Sequence, residues 1–222
     1  MKTLAIIALA GVAGAANADL IAYWNQNDNG LSGGSGFGFE VGDFPQAADA
    51  GAGSWDLANW DTSDPGGAYA TIDSFGGTTR GALFGDSSNI SFAFLGDTNN
   101  GASVVLSFDA TLFENITLDF ARRATSTGYD SVDVGYSTDG GATVTSIGSI
   151  NNRDDWTLYN FGFGSALDGV TNAQIWLTFD GATSSNGNNR LDNVQSNGDV
   201  IPTPASAALV ALGGLVAARR RR

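Results

Sequence analysis

The commonest titratable side chains in this chain are carboxylates. There are 23 acidic residues and neither histidine nor cysteine. That removes serine or cysteine nucleophiles with an imidazole base, and it removes the usual zinc sites. What remains is carboxylate chemistry. A glycoside hydrolase needs two carboxyl groups flanking one bond, one protonated and one ionised. Only two glutamates exist, Glu40 and Glu114, both in or beside apolar runs, and no spacing among the aspartates singles out a pair. The reading is therefore non-catalytic, with a carbohydrate-active hydrolase using Asp/Glu carboxylates as the alternative.

Carboxylates also hold cations. The segment "NQNDNG", Asn25–Gly30, has oxygen-bearing side chains at alternate positions and Gly at the sixth, like the start of a calcium loop. Its ligand positions are neutral Asn and its twelfth residue is Gly36, so as an EF-hand it fails, and Asp-Asn-Gly is a turn in its own right. A second segment, "SSNGNNRLDNVQ", carries Asp192 into the last strand. Leu191 and Val194 cannot both face a core in an unbroken pleat, so a bulge is expected near Asp192–Asn193. A carboxylate there needs partners. One reading is a polar network joining the last strand to the first. The other is a structural calcium held by Asp192 with oxygens of Asn25 and Asn27.

Tryptophan is the remaining functional residue type, since exposed rings stack on sugars. Trp24, Trp156 and Trp176 lie in strand-like runs and read as core. Trp55 and Trp60, in the loop-like "SWDLANWD", are the candidate sugar platforms.

The elements that position these residues are strands. Gly, Ser, Thr, Asn and Asp recur about every eight to twelve residues, separated by short runs of Val, Ile, Phe, Tyr and Trp. Alternation is plain in "SVVLSFDA", "ITLDFARRA" and "VDVGYST". Strands are expected at Leu20–Trp24, Gly36–Val41, Ala68–Ser74, Ile90–Leu95, Ala102–Ala110, Ile116–Ala124, Ser131–Ser137, Thr143–Ile150, Trp156–Phe163, Ala173–Asp180 and Arg190–Gln195. No part of the body holds a helical period for three turns. The class is all-β, a single β-sandwich or barrel. "FEVGDFPQAADAGAGSWDLANWDTSDPGGAYA" reads as a long surface crossing with one short strand.

"YSTDGGATV", Tyr136–Val144, is a hairpin turn, because Gly accepts the positive φ that primed turns need. It also resembles the Asp-box of sialidases through Ser137, Asp139, Gly141 and Thr143. Val144 stands where that family has Trp, and only one copy is present, whereas a propeller repeats it blade by blade.

The ends differ from this body. "MKTLAIIALAGVAGAANA" joins one basic residue to an apolar stretch and small residues at Ala16 and Ala18, the pattern of a signal peptide over residues 1–18. The other end, "IPTPASAALVALGGLVAARRRR", runs from two prolines through an apolar segment, 205–218, to four arginines. Fourteen residues make about 21 Å of helix, short of a bilayer core of about 30 Å but within reach of snorkelling arginines and local thinning. The body of about 180 residues, 19–199, suits one domain. It holds all 23 carboxylates and only five arginines, a net charge of −18 against −13 for the whole chain. Such a body is no partner for nucleic acid.

The C-terminal segment, 200–222, resembles the PEP-CTERM sorting tail of bacterial exported proteins. Pro202, Thr203 and Pro204 occupy its Pro-containing signature, with Thr203 where Glu is usual. Arg219, Arg220, Arg221 and Arg222 form its basic end. The resemblance implies export, transient anchoring in the inner membrane, and cleavage by an exosortase-type membrane protease, leaving the protein at the cell surface or outside the cell. A lipid-anchor signal also joins a spacer to a short apolar tail, but normally lacks a basic block. The body, over Ala102–Gln195, resembles the β-sandwich ectodomains that often precede this tail and, more loosely, the galactose-binding-like jelly rolls of carbohydrate-binding modules. This implies a jelly-roll-like β-sandwich between an N-terminal signal helix and a short C-terminal transmembrane-like helix. The implied role is a cell-envelope or extracellular-matrix protein that binds extracellular polysaccharide, with a purely structural or adhesive surface protein as a further alternative.

Overall fold

The computed structural model describes residues 18–27, 43–62 and 72–202. The signal-peptide residue Ala16, the tail residues Thr203, Pro204 and Arg219–Arg222, and both expected flanking helices lie outside these ranges, as does the expected strand at Gly36–Val41. Ala18 and Pro202 lie inside them, and both are exposed. Among the described residues no helix is long and apolar enough to cross a membrane.

The fold is a β-sandwich of two antiparallel sheets. Among the described residues thirteen strands run in chain order: β1 Asp19–Trp24, β2 Gln46–Ala47, β3 Ala50–Gly51, β4 Ser54–Ala58, β5 Ile72–Phe75, β6 Ser91–Leu95, β7 Ala102–Phe108, β8 Phe113–Ala124, β9 Ser131–Ser137, β10 Thr145–Asn151, β11 Thr157–Gly162, β12 Ala173–Asp180 and β13 Asn188–Val200. The seven-stranded sheet has the order β11-β8-β13-β1-β3, with β6 joined to β13 and β5 to β6. The six-stranded sheet has the order β10-β9-β12-β7-β4-β2.

Alternation fixes which face of each strand turns inward. In β12, Ala173, Ile175, Leu177 and Phe179 are buried while Gln174, Trp176 and Thr178 are half-buried on the outside. The core between the sheets is aromatic: Trp60 stacks on Phe94 at 4.7 Å, Phe94 lies 4.7 Å from Phe179, and Trp24 meets Trp55 edge-on at 6.3 Å. One end of the core is closed by the buried Arg122, which donates to the carbonyls of Tyr129 (2.6 Å) and Asn152 (3.0 Å).

The last strand is the spine of its sheet. Along its length β13 pairs with β8, while its first half also pairs with β6 and its second half with β1. It runs five residues past the expected end at Gln195, through "SNGDV", because β1 and β8 flank it on both sides and supply the ladder that a polar sequence cannot advertise. The bulge expected at Asp192–Asn193 is present: three steps from Asp192 to Gln195 oppose two from Ala121 to Asp119. Asn193 takes φ 50° there, and Leu191 and Val194 both reach the core. The long crossing before residue 72 also holds more structure than one strand, since β2, β3 and β4 lie in it.

Candidate functional site

Trp55 and Trp60 are not platforms. Trp55, on β4, is fully buried against Trp24 and Phe92, and Trp60 is 7% exposed, stacked on Phe94 with its indole N–H donating 2.7 Å to the Ser103 carbonyl. Their segment looks like a loop because of its Asp, Asn and Ser, yet β4 pairs with β7 along its whole length and turns Trp55 inward.

The outward tryptophan of the six-stranded sheet is Trp176. It falls on the polar register of β12, between Gln174 and Thr178, a signal that "AQIWLTFD" carries in its alternation. In the ladder it is opposite Gly135 on β9 and Val105 on β7, and Asp56 of β4 is opposite Val105. Gly135 leaves room for Val144, whose Cγ1 would be 2.9 Å from a Cβ placed there. Val144 is itself 42% exposed. The indole leans toward the β9–β10 hairpin: its N–H donates to Gln174 Oε1 at 3.2 Å, and a Cβ on Gly141 would lie 2.8 Å from its Cζ2. Gly141 has φ +88°, the left-handed region that Gly adopts freely.

The hairpin is braced from within. Asp139 Oδ1 accepts from the Ser137 hydroxyl (2.7 Å) and the Thr143 amide (2.9 Å), and Ser137 Oγ accepts from the Gly141 amide (2.9 Å). The Thr143 amide, followed by the Ser137 hydroxyl, holds the Asp139 carboxyl below its ordinary range. The four residues that resemble an Asp-box thus build the turn that meets Trp176.

Beside the indole opens a cleft of about 550 Å³ lined by Gly53, Ser54, Ser107, Asp109, Gly140 and Gln174, among others. Gln174 bridges the two features, since its amide also donates to Ser107 Oγ at 3.3 Å. Asp109 is the carboxylate of the lining, and the amide and hydroxyl of Thr111 hold it below the usual range, so it is anionic near neutrality. The six strands contain no Lys or Arg, and Asp56, Asp133 and Asp180 are their charges.

In comparisons with known proteins, no family model matches the chain and no curated protein matches it. Solved structures do match. One is TmCBM61 in complex with beta-1,4-galactotriose, at 11% identity and TM-score 0.42, covering 65% of this chain and 88% of that one. Another is CBM29_1, a family 29 carbohydrate-binding module from Piromyces equi, at 14% identity and TM-score 0.36, covering 66% and 91%. A third is the K2 cleaved adhesin domain of Lys-gingipain, at 9% identity and TM-score 0.41, covering 64% and 88%.

The second expected site lies on the other sheet. Asp192 is 1% exposed; its Oδ2 accepts from the Thr78 amide at 2.6 Å and its Oδ1 from the Asn193 amide at 2.9 Å. Burial nevertheless pushes its pKa up from 3.8 to about 7. Asn193 donates to the carbonyls of Thr78 and Arg80 and accepts from the Tyr23 hydroxyl. This is the polar network joining last strand to first. The residues named for a calcium fit one poorly. Asn25 and Asn27 give their amide oxygens to the backbone N–H groups of Asn27 and Ile90, and their NH₂ groups bond Asp86 and the Ser87 carbonyl. Among the described residues no three His, Cys, Asp or Glu side chains form a metal cluster.

Proposed function

We propose that this is an exported, non-catalytic polysaccharide-binding protein of the bacterial cell envelope or extracellular matrix, with its binding face on the six-stranded sheet around Trp176. The observation that carries the reading is a half-buried indole on an outward strand face, continuous through Gln174 with an open cleft of glycines, hydroxyls and amides. Sugar rings take stacking on an aromatic face and hydrogen bonds from such neighbours, and a mostly apolar platform with a few polar groups is what a ligand site needs. The hydrolase alternative calls for two carboxyl groups at one bond. The cleft lining has one, Asp109.

Export and sorting belong to the same reading and rest on the sequence of the two ends. The N-terminal segment supplies the export signal, with cleavage after Ala18. The segment from Pro202 to Arg222 supplies the sorting tail, with an exosortase-type protease as its partner.

The test is a panel of purified polysaccharides against the full chain, native and with Trp176→Ala. Binding that falls at least tenfold in the variant, at unchanged melting temperature, supports the reading. Binding that ignores the substitution places the ligand elsewhere, and no binding to any glycan returns the protein to the structural or adhesive class.

A further inference from the structure

The five arginines of the body are spread unevenly, and two of them face each other. On β13 and β8 the ladder sets Arg190 directly opposite Arg123. Their strand neighbours Asn189, Leu191, Arg122 and Ala124 are buried, so the two guanidinium groups share the outer face of the seven-stranded sheet. Side chains directly opposed in an antiparallel pair have Cβ atoms about 5 Å apart, and like charges there are destabilising.

Among the described residues no carboxylate pairs with Arg190 to offset that repulsion: Asp73 of β5 shares its row of the sheet, but across Ala93 of β6. Arg190 Nη1 donates to the Gly76 carbonyl at 3.1 Å, its Nε reaches Asn188 Oδ1 at 3.4 Å, and its Cζ sits 4.7 Å over the Phe75 ring. These partners are neutral. Among the described residues no carboxylate is within ion-pair distance of it. Burial first, and the charge of Arg123 second, push its pKa down. Arg123 has one carboxylate, Asp155, at 3.2 Å from its Nε, and that side chain is 86% exposed. In a body with 23 acidic residues and five arginines, an acidic neighbour for Arg190 would be the common outcome. Instead a neutral cradle orients it beside a second guanidinium.

We infer that Arg123 and Arg190 form a subsite for the carboxylate or sulfate group of an acidic polysaccharide, on the sheet opposite Trp176. Two arginines side by side present the forked donors that bind such oxyanions in bidentate fashion. A folded acidic protein is a poor occupant, because a broad anionic surface would meet the −18 charge of the body. A linear acidic glycan would lay one charged ring at a time on the strip, and its repulsion by the rest of the body is screened at physiological ionic strength. Asp155 is then a competitor for Arg123 that the ligand displaces.

Polygalacturonate, with a neutral galactan as control, tests this on the full chain at physiological ionic strength. Arg123→Gln and Arg190→Gln are each expected to weaken polygalacturonate binding about tenfold or more, from the strength of charge-assisted hydrogen bonds. Asp155→Asn is expected to strengthen it, an effect that a merely structural role for the arginines would not give. Trp176→Ala is expected to leave it unchanged. Among the described residues Arg123 pairs only with exposed Asp155, so its variant reads binding free of any folding loss at Arg190. No binding of polygalacturonate by the native protein, binding indifferent to both arginine variants, or binding lost with Trp176→Ala would each overturn the assignment.

Discussion

The hydroxyl of Tyr23 donates to Oδ1 of Asn193 at 2.8 Å, across 170 residues of chain, and both side chains are fully buried. The same hydroxyl accepts from the Leu83 amide at 3.1 Å. One phenol therefore ties β1, the bulge of β13 and the 76–90 loop together. Tyr23→Phe leaves the buried Asn193 Oδ1 and the part-buried Leu83 amide without this partner and is expected to cost about 1–3 kcal/mol. Urea unfolding reads this directly; an unchanged midpoint would show that the junction is held by other contacts. The proposed polysaccharide binding at Trp176, on the other sheet, should not respond.

Asp192 gives the fold a pH dependence whose sign follows from its environment. Its folded pKa of about 7 stands above the 3.8 of the free group. Between those values the native state holds the extra proton, so stability falls as pH rises from about 4 to about 7. Above that the buried carboxylate is charged and the loss is complete. Three units correspond to at most about 4 kcal/mol. Melting temperatures of native protein and Asp192→Asn, measured from pH 5 to pH 8.5, should diverge in favour of the variant as pH rises. Parallel curves would show that Asp192 does not titrate in this range.

The network around Asp192 also bears on metal. Its oxygens are occupied by N–H donors, as are the amide oxygens of Asn25 and Asn27. Millimolar calcium and EDTA are therefore expected to give the same melting temperature within a degree. A rise of several degrees with calcium would mean that these side chains rearrange around an ion.

Much of this was legible in the sequence because sandwich strands announce themselves by alternation. Ser131–Ser137 and Ala173–Asp180 are bounded as the pattern predicts. The bulge followed from Leu191 and Val194 both being apolar three apart. What was not legible depends on neighbours. "SWDLA" is short, broken by Asp56 and followed by the polar "NWDTSD", so it reads as a loop, and pairing with β7 is what turns Trp55 inward. The second half of β13 is polar because it lies between two strands whose ladders hold it. Trp176 was misread for a different reason: bulk suggested core, while its register among Gln174 and Thr178 pointed outward.

The basic end of the chain makes its own prediction. If Arg219–Arg222 hold the C-terminus in the cytoplasm while the body is exported, their replacement by Ser removes the positive-inside signal. The precursor should then fail to be retained and cleaved, visible as loss of the processed species in membrane fractions. Normal processing and surface delivery of that variant would detach the tail from any sorting role.

Two neighbouring glycines offer the sharpest test of the binding face. Gly140 and Gly141 both have positive φ, +72° and +88°, so alanine at either is strained by about 1 kcal/mol. They differ in what a methyl group would meet. At Gly140 there is nothing within 4 Å, whereas at Gly141 the indole Cζ2 lies at 2.8 Å and Gln174 Oε1 at 3.2 Å. Gly141→Ala must push the Trp176 ring from the position its hydrogen bond to Gln174 holds. Gly141→Ala should lose the more stability of the two, and it should weaken polysaccharide binding by about tenfold for a misplaced stacking platform, well beyond any effect of a methyl group at Gly140, which lines the cleft but meets no other atom. Tryptophan fluorescence would register the displaced ring in the Gly141→Ala protein alone. Equal binding by the two proteins would mean that the ligand does not rest on Trp176.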